Sequence, residues 1–126
     1  MTVVLDAGAL IALERNDRSM WAVLKLAARA GQDVLVPSTV VAQVWRRTPA
    51  QALLATALKQ CVVSPFEGLA RQVGELCGRA RTADICDAHV AIVVATRGET
   101  LFTSDPDDLR RLIAAFGRGR PSIVAC

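Results

Sequence analysis

Short, mostly apolar runs alternate along this chain with stretches of helical periodicity, and that alternation constrains the fold more than any other feature. The runs cover residues 3–5, 34–36, 61–63, 101–103 and 122–124. Each is too short for a helix, and few carry the polar alternation of a strand with one wet face. A strand buried on both faces reads this way, and such strands belong to parallel sheets covered by helices on both sides. The expectation is a three-layer α/β/α domain with a short central parallel sheet of about five strands. A chain of 126 residues fits one such domain, 1–126, and not comfortably two.

The connecting segments carry their own punctuation. Asp6-Ala7-Gly8 turns into a short helix over 9–14. Asp17 stands as the N-cap of a helix over 18–30, with Trp21, Leu24 and Ala28 on one face and Gly31 closing it. Ser38 is placed to cap a helix running to Arg47, and Pro49 to open another. A helix is expected over 66–78. The stretch 82–97 is apolar on most sides, so it should be a helix lying largely buried. The last helix runs from Asp105-Pro106 to Phe116, followed by the loop Gly117-Arg118-Gly119-Arg120-Pro121.

Set on this frame, four aspartates stand out. Asp6 and Asp105 follow apolar strands, and Asp84 and Asp87 open the buried helix. In an open parallel sheet these places converge on the C-terminal edge of the strands. Carboxylates gathered there repel one another unless a cation sits between them. Asp84 and Asp105 also suit a simple capping role. A carboxylate at Asp6, directly after a buried strand, is costly to desolvate unless it meets a cation or several donors. Hard oxygen ligands without His or Cys select Mg2+ or Mn2+ over zinc. Such an ion activates and orients water for attack on a phosphodiester.

Other chemistries find little support. There is no glycine-rich phosphate loop, and the lone His89 has no evident Ser or Cys partner in sequence, so it reads as a helix residue in a polar niche. Cys61, Cys77, Cys86 and Cys126 match no zinc module and read as free thiols of a reducing compartment. The apolar stretch near the start is interrupted by Asp6 and preceded by no basic residue, so it is neither a signal peptide nor a membrane span. The expectation is a soluble cytoplasmic protein without a membrane partner. Of 15 basic residues 13 are Arg, the side chain suited to bidentate phosphate contacts. With no Tyr, two Trp and three Phe, phosphate contacts should outweigh base stacking if nucleic acid is the ligand.

The blocks around the acids resemble the PIN-domain family, and within it the VapC-type toxins of bacterial toxin–antitoxin pairs. They are VLD6AGALIA, V36PSTVVAQ43VW, D84ICD87AHVA and LFTSD105PDD108L. The resemblance spans nearly the whole chain. It implies a Mg2+- or Mn2+-dependent endoribonuclease that leaves 5′-phosphate and 3′-hydroxyl ends. It implies a cognate antitoxin as partner, RNA (tRNA, rRNA or mRNA) as substrate, and a homodimer. Carried over, Asp6, Asp87 and Asp105 are the catalytic, metal-binding acids, with Thr103 or Ser104 as supporting hydroxyls. One departure stands out: where the family usually has a Glu on the helix after the second strand, this chain has Gln43. An amide can orient water but brings no charge, and Asp84 is the candidate to replace it. Glu14 and Asp108 are further candidates that suit solvated or capping roles. Arg46 with Arg47, and Arg79 with Arg81, would form a basic rim that holds RNA phosphates.

Two alternatives differ in kind. Gln43 could mark a weakened PIN-like module that binds RNA or protein without cutting; the retained aspartates argue against it. A haloacid-dehalogenase-type phosphatase would need a second Asp two residues after the first, where this chain has Gly8.

Overall fold

The computed structural model describes residues 2–126. Its five strands form one all-parallel sheet in the order β3-β2-β1-β4-β5. They are β1 (Thr2–Leu5), β2 (Asp33–Pro37), β3 (Val62–Ser64), β4 (Thr100–Thr103) and β5 (Ser122–Ala125). Seven α-helices flank the sheet among the described residues: α1 (Ala7–Glu14), α2 (Arg18–Arg29), α3 (Ser38–Val44), α4 (Ala52–Leu58), α5 (Ala70–Ala80), α6 (Ile85–Arg97) and α7 (Pro106–Phe116). A 3-10 turn, Pro49–Gln51, precedes α4. This is the three-layer α/β/α architecture with a short central parallel sheet expected from the alternation of apolar runs and helices.

The strand order places the site. The chain steps from β1 outward to β2 and β3, then returns through α5 and α6 to lay β4 on the other flank of β1. Because such crossovers are right-handed, reversing direction moves the helices to the opposite face. The helices α1 to α4 thus cover one face, and α6 and α7 the other. The reversal opens a crevice beyond the C-terminal ends of β1 and β4, the position where open α/β sheets bind ligands. Asp6 and Asp105 follow those two strands.

The core forms around the centre of the sheet. Val4 and Leu5 of β1, Leu35 and Val36 of β2, and Leu101 of β4 are buried, and Val4 pairs with both Leu35 and Leu101. Residues Ala88 to Val94 of α6 are buried without a break, as a helix packed on β1 and β2 between α5 and α7 requires. Two close approaches need glycine. A Cβ at Gly98 would lie 2.6 Å from the Val4 side chain, and one at Gly8 would lie 2.5 Å from Cβ of Ser104.

Several boundaries differ from the sequence reading. Ser38 does not cap α3; its Oγ accepts the Phe66 amide at 2.9 Å, tying α3 to the end of β3. The same helix stops at Val44 rather than Arg47, because Trp45 leaves it with extended backbone, φ −69° and ψ 130°. The helix expected over 66–78 begins only at Ala70, since Gly68 sits at φ 85°. On α2 the buried face is Met20, Leu24 and Ala27, with Ala28 exposed and Trp21 half-buried, its indole donating to the Leu13 carbonyl at 3.1 Å. Asp17 caps α2 as expected, accepting from the Met20 amide at 3.0 Å.

Candidate metal centre

Asp6 is only 4% exposed. Its carboxylate is the N-cap of α1, with Oδ1 accepting the Ala9 amide at 3.2 Å. Oδ2 accepts a short hydrogen bond from the Thr103 hydroxyl at the end of β4. Thr103 Oγ in turn accepts the Asp105 amide at 2.9 Å. Burial raises the Asp6 pKa, while Thr103 and the amides of Ala9, Gly8 and Ser104 pull it back.

Asp87 enters from the first turn of α6, half-buried. Its pKa is lifted to about 7, first by burial, then by the charge and hydrogen bonding of Asp84, then by the charges of Asp6 and Asp105. That dependence places the three family-matched acids within electrostatic reach of one another across three elements. Asp84 caps α6, accepting the Asp87 amide at 2.9 Å, while its own amide donates to Thr82 Oγ at 3.1 Å.

Asp105 precedes α7 but makes no capping hydrogen bond with its side chain. Its pKa is also raised, by partial desolvation first, then by a hydrogen bond and charge from Asp108 and by the charges of Asp6 and Asp107. One carboxylate oxygen from each of Asp87, Asp105 and Asp108 lies within 4.8 Å of the others. Asp108, read from the sequence as a solvated or capping residue, therefore joins the cluster. The signal was there in the spacing: Asp105 and Asp108 stand three apart at a helix start, where both can turn to one side.

The donor set fits a hard divalent cation. It is all carboxylate and hydroxyl oxygen, drawn from strand ends and helix starts; burial raises the pKa of Asp6, Asp87 and Asp105, and repulsion from neighbouring acids adds to it at Asp87 and Asp105. A divalent ion removes that repulsion.

The remaining expected site residues occupy separate places. Ser104 packs against Gly8 beside Asp6. Gln43 is exposed on α3 and lines a groove of about 460 Å³ with Ala7, Glu14 and Arg46. Arg46 folds back on its own helix, donating to the carbonyls of Ala42 at 3.1 Å and Trp45 at 2.8 Å. Arg79 and Arg81 are exposed at the end of α5, with Arg81 left-handed at φ 56°. Arg111 fixes that end by donating to the Ala80 carbonyl at 2.6 Å.

Gln51 escaped the sequence reading entirely. It is 5% exposed and uses every position of its amide. Oε1 accepts the Arg46 and Arg47 amides at 2.8 and 3.1 Å; Nε2 donates to Glu14 Oε1 at 2.7 Å and to the Val44 carbonyl at 2.9 Å. No local pattern could have shown this, because its partners lie on three separate segments.

His89 is fully buried, with Nδ1 2.8 Å from Thr39 Oγ and its ring edge-on to Phe66. The neighbouring Cys86 thiol turns to the Thr39 carbonyl at 3.6 Å, so the two residues hold α6 to α3. All four cysteines are free thiols. Among the described residues no helix is long and apolar enough to cross a membrane.

No protein-family model matches the chain, and no curated protein matches it in sequence. Among solved structures, the fold is similar to a chain of VapBC2 from Rickettsia felis, crystallised bound to a DNA fragment from their promoter. The two share 16% identity at a TM-score of 0.73, over 100% of this chain and 99% of that one. At that identity the likeness establishes the three-layer fold over the full length of both chains.

Proposed function

We propose that this protein is a metal-dependent endoribonuclease of the VapC type, the toxin of a toxin–antitoxin pair. The observation that carries the reading is the convergence of Asp6, Asp87, Asp105 and Asp108 at the switch point of the sheet. The likeness to a chain of a VapBC2 complex supports the toxin assignment and an antitoxin as partner. The resemblance of the acid-bearing blocks supports RNA as substrate, a homodimer and a cytoplasmic location.

Asp6, Asp87, Asp105 and Asp108 would hold Mg2+ or Mn2+, with Asp84 adding charge behind Asp87. The ion supplies activation of water and neutralisation of the phosphate at the scissile bond. The chain's own residues prepare for it. Thr103 and the Ala9 amide hold Asp6 in one orientation. Burial and the charge of Asp84 raise the Asp87 pKa to about 7, which a bound cation would lower again. Arg79 and Arg81, exposed at the end of α5 ahead of Asp84, would hold flanking phosphates. Water adds to phosphorus, the bond to the 3′ oxygen breaks, and that oxygen leaves with a proton, giving 5′-phosphate and 3′-hydroxyl ends.

The test is growth on induction of this protein beside its Asp6→Asn variant, with RNA from both cultures mapped for new 5′-phosphate ends. Arrest and discrete ends with Asp6 alone support the nuclease. Equal behaviour of the two proteins overturns it and favours the binding-module reading that Gln43 suggests.

A further inference from the structure

The loop between α7 and β5 is the least explained charged feature of the molecule. Residues 109–126 contain four arginines (Arg110, Arg111, Arg118 and Arg120) and no acid, more positive charge than the net +3 of the whole chain. Arg111 is occupied at the end of α5. Arg110, Arg118 and Arg120 instead line one groove of about 510 Å³, whose floor includes Ile113 and Ile123 and whose lining holds no carboxylate. Arg110 makes an exposed contact of 3.2 Å with Asp107, which contributes little.

The loop is built to one shape. Gly117 and Gly119 both sit at φ 78°, a conformation that side chains disfavour. A Cβ at Gly119 would lie 2.5 Å from the Ala95 carbonyl oxygen and 2.8 Å from its Cα, so the loop is pressed onto the backbone of α6. Arg118 is oriented over the Phe116 ring, with its guanidinium carbon 5.7 Å from the centroid. A loop seated on α6, an oriented guanidinium and two further arginines in a groove whose lining holds no carboxylate make a receptor for anionic groups in series.

The topology places the loop end of this groove away from the acids. The loop feeds the N-terminal end of β5, and every strand is parallel, so it lies at the sheet edge opposite Asp6 and Asp105, while Arg110 stands nearer to them in the second turn of α7. An anion held by Arg118 and Arg120 belongs to a ligand that reaches beyond the site of cleavage.

We infer that the groove of Arg110, Arg118 and Arg120 is a second contact for the phosphodiester backbone of the RNA, remote from the cleaved bond. The inference rests on the nuclease reading above for the identity of the ligand. The contact anchors a distant part of a folded RNA and favours long or structured substrates over short oligonucleotides.

The test is equilibrium binding of a labelled 40-nucleotide RNA to the full-length protein in EDTA, where cleavage is stopped, at several salt concentrations. The Arg118→Ala/Arg120→Ala protein is expected to bind about tenfold more weakly. Its salt slope should fall by about 1.4, as loss of two phosphate contacts on a single strand requires. The Arg118→Lys/Arg120→Lys protein should keep most of the slope, which separates lost charge from a misfolded loop. Unchanged affinity and slope in the alanine protein overturn the inference, as does absence of RNA binding by the wild type. A larger loss on duplex DNA than on RNA also overturns it, in favour of a DNA contact. The cleavage assay separates the two readings. Cleavage of the 40-nucleotide RNA with no effect of the alanine changes removes only this contact. Weakened binding with no cleavage by the wild type in Mn2+ removes only the nuclease.

Discussion

The hydroxyl of Thr103 donates to the carboxylate of Asp6 and joins the ends of β1 and β4 at the centre of the site. The same oxygen accepts the Asp105 amide, so one side chain orients two of the acids. Thr103→Val keeps the shape and removes both bonds, leaving a buried carboxylate short of a donor. A loss of about 1–3 kcal/mol in stability is expected. A fall of about tenfold in Mn2+ affinity should accompany it, as for other residues that orient a metal ligand. Thr103→Ser should retain most of both. Urea unfolding and calorimetric Mn2+ titration check the pair.

The contact between Gly8 and Ser104 fixes how closely α1 approaches the end of β4. Gly8→Ala puts a methyl 2.5 Å from the Ser104 Cβ and 3.0 Å from its amide nitrogen. The strain should cost about 1–3 kcal/mol. Ser104→Gly removes the atoms that clash. The double variant should therefore recover part of the loss, a coupling of at least about 0.5 kcal/mol on a double-mutant cycle. Additive losses would mean that α1 shifts as a body instead.

The acids also predict an inverted pH dependence for the metal-free protein. Asp87 has a folded pKa of about 7 against an ordinary value of 3.8, and those of Asp6 and Asp105 are raised too. Between those limits the folded state holds a proton that the unfolded state releases. Stability contributed by these groups is full below about pH 4 and is lost as pH rises toward 7. In EDTA, the urea midpoint should fall between pH 5 and pH 7.5. Asp87→Asn should flatten that fall and raise the midpoint at pH 7.5. Saturating Mn2+ should stabilise the wild type more at pH 7.5 than at pH 5, because cation and proton compete for the same carboxylates.

These residues also show where sequence reasoning reaches and where it stops. The strands were legible because burial on both faces leaves an unbroken apolar run, as in Val3-Val4-Leu5. Asp6 was legible because a carboxylate at the end of such a run needs a stated reason to be there. The face of α2 was misjudged by about one residue, since Trp21 finds a partner for its indole in the Leu13 carbonyl and stays half-buried. The starts and ends of α3 and α5 depended on tertiary partners: Ser38 serves the Phe66 amide, and the turn at Arg47 is held from Gln51. Asp108 was read as a cap, although its part in the cluster depends on where α7 docks beside α6.

Gln51 carries the last prediction, because its four hydrogen bonds join α1, the end of α3 and the turn that presents Arg46 and Arg47. Gln51→Leu has similar bulk and leaves two amides, a carbonyl and Glu14 without their partner. A cost above about 2 kcal/mol is expected, given that each buried group so left costs about 1–3 kcal/mol. Gln51→Glu keeps the acceptors for the two amides but turns a carboxylate toward Glu14. It should also destabilise, because no donor then faces Glu14 or the Val44 carbonyl. Exchanging the pair, Glu14→Gln with Gln51→Glu, restores a donor opposite an acceptor. It should recover about half of the Gln51→Glu loss, the Val44 carbonyl remaining unserved. Urea unfolding at pH 5 and pH 7.5 of both single variants and the exchange checks this. No recovery in the exchange would mean that Gln51 acts through the Arg46–Arg47 turn alone, and that its bond to Glu14 contributes nothing to holding α1 against it.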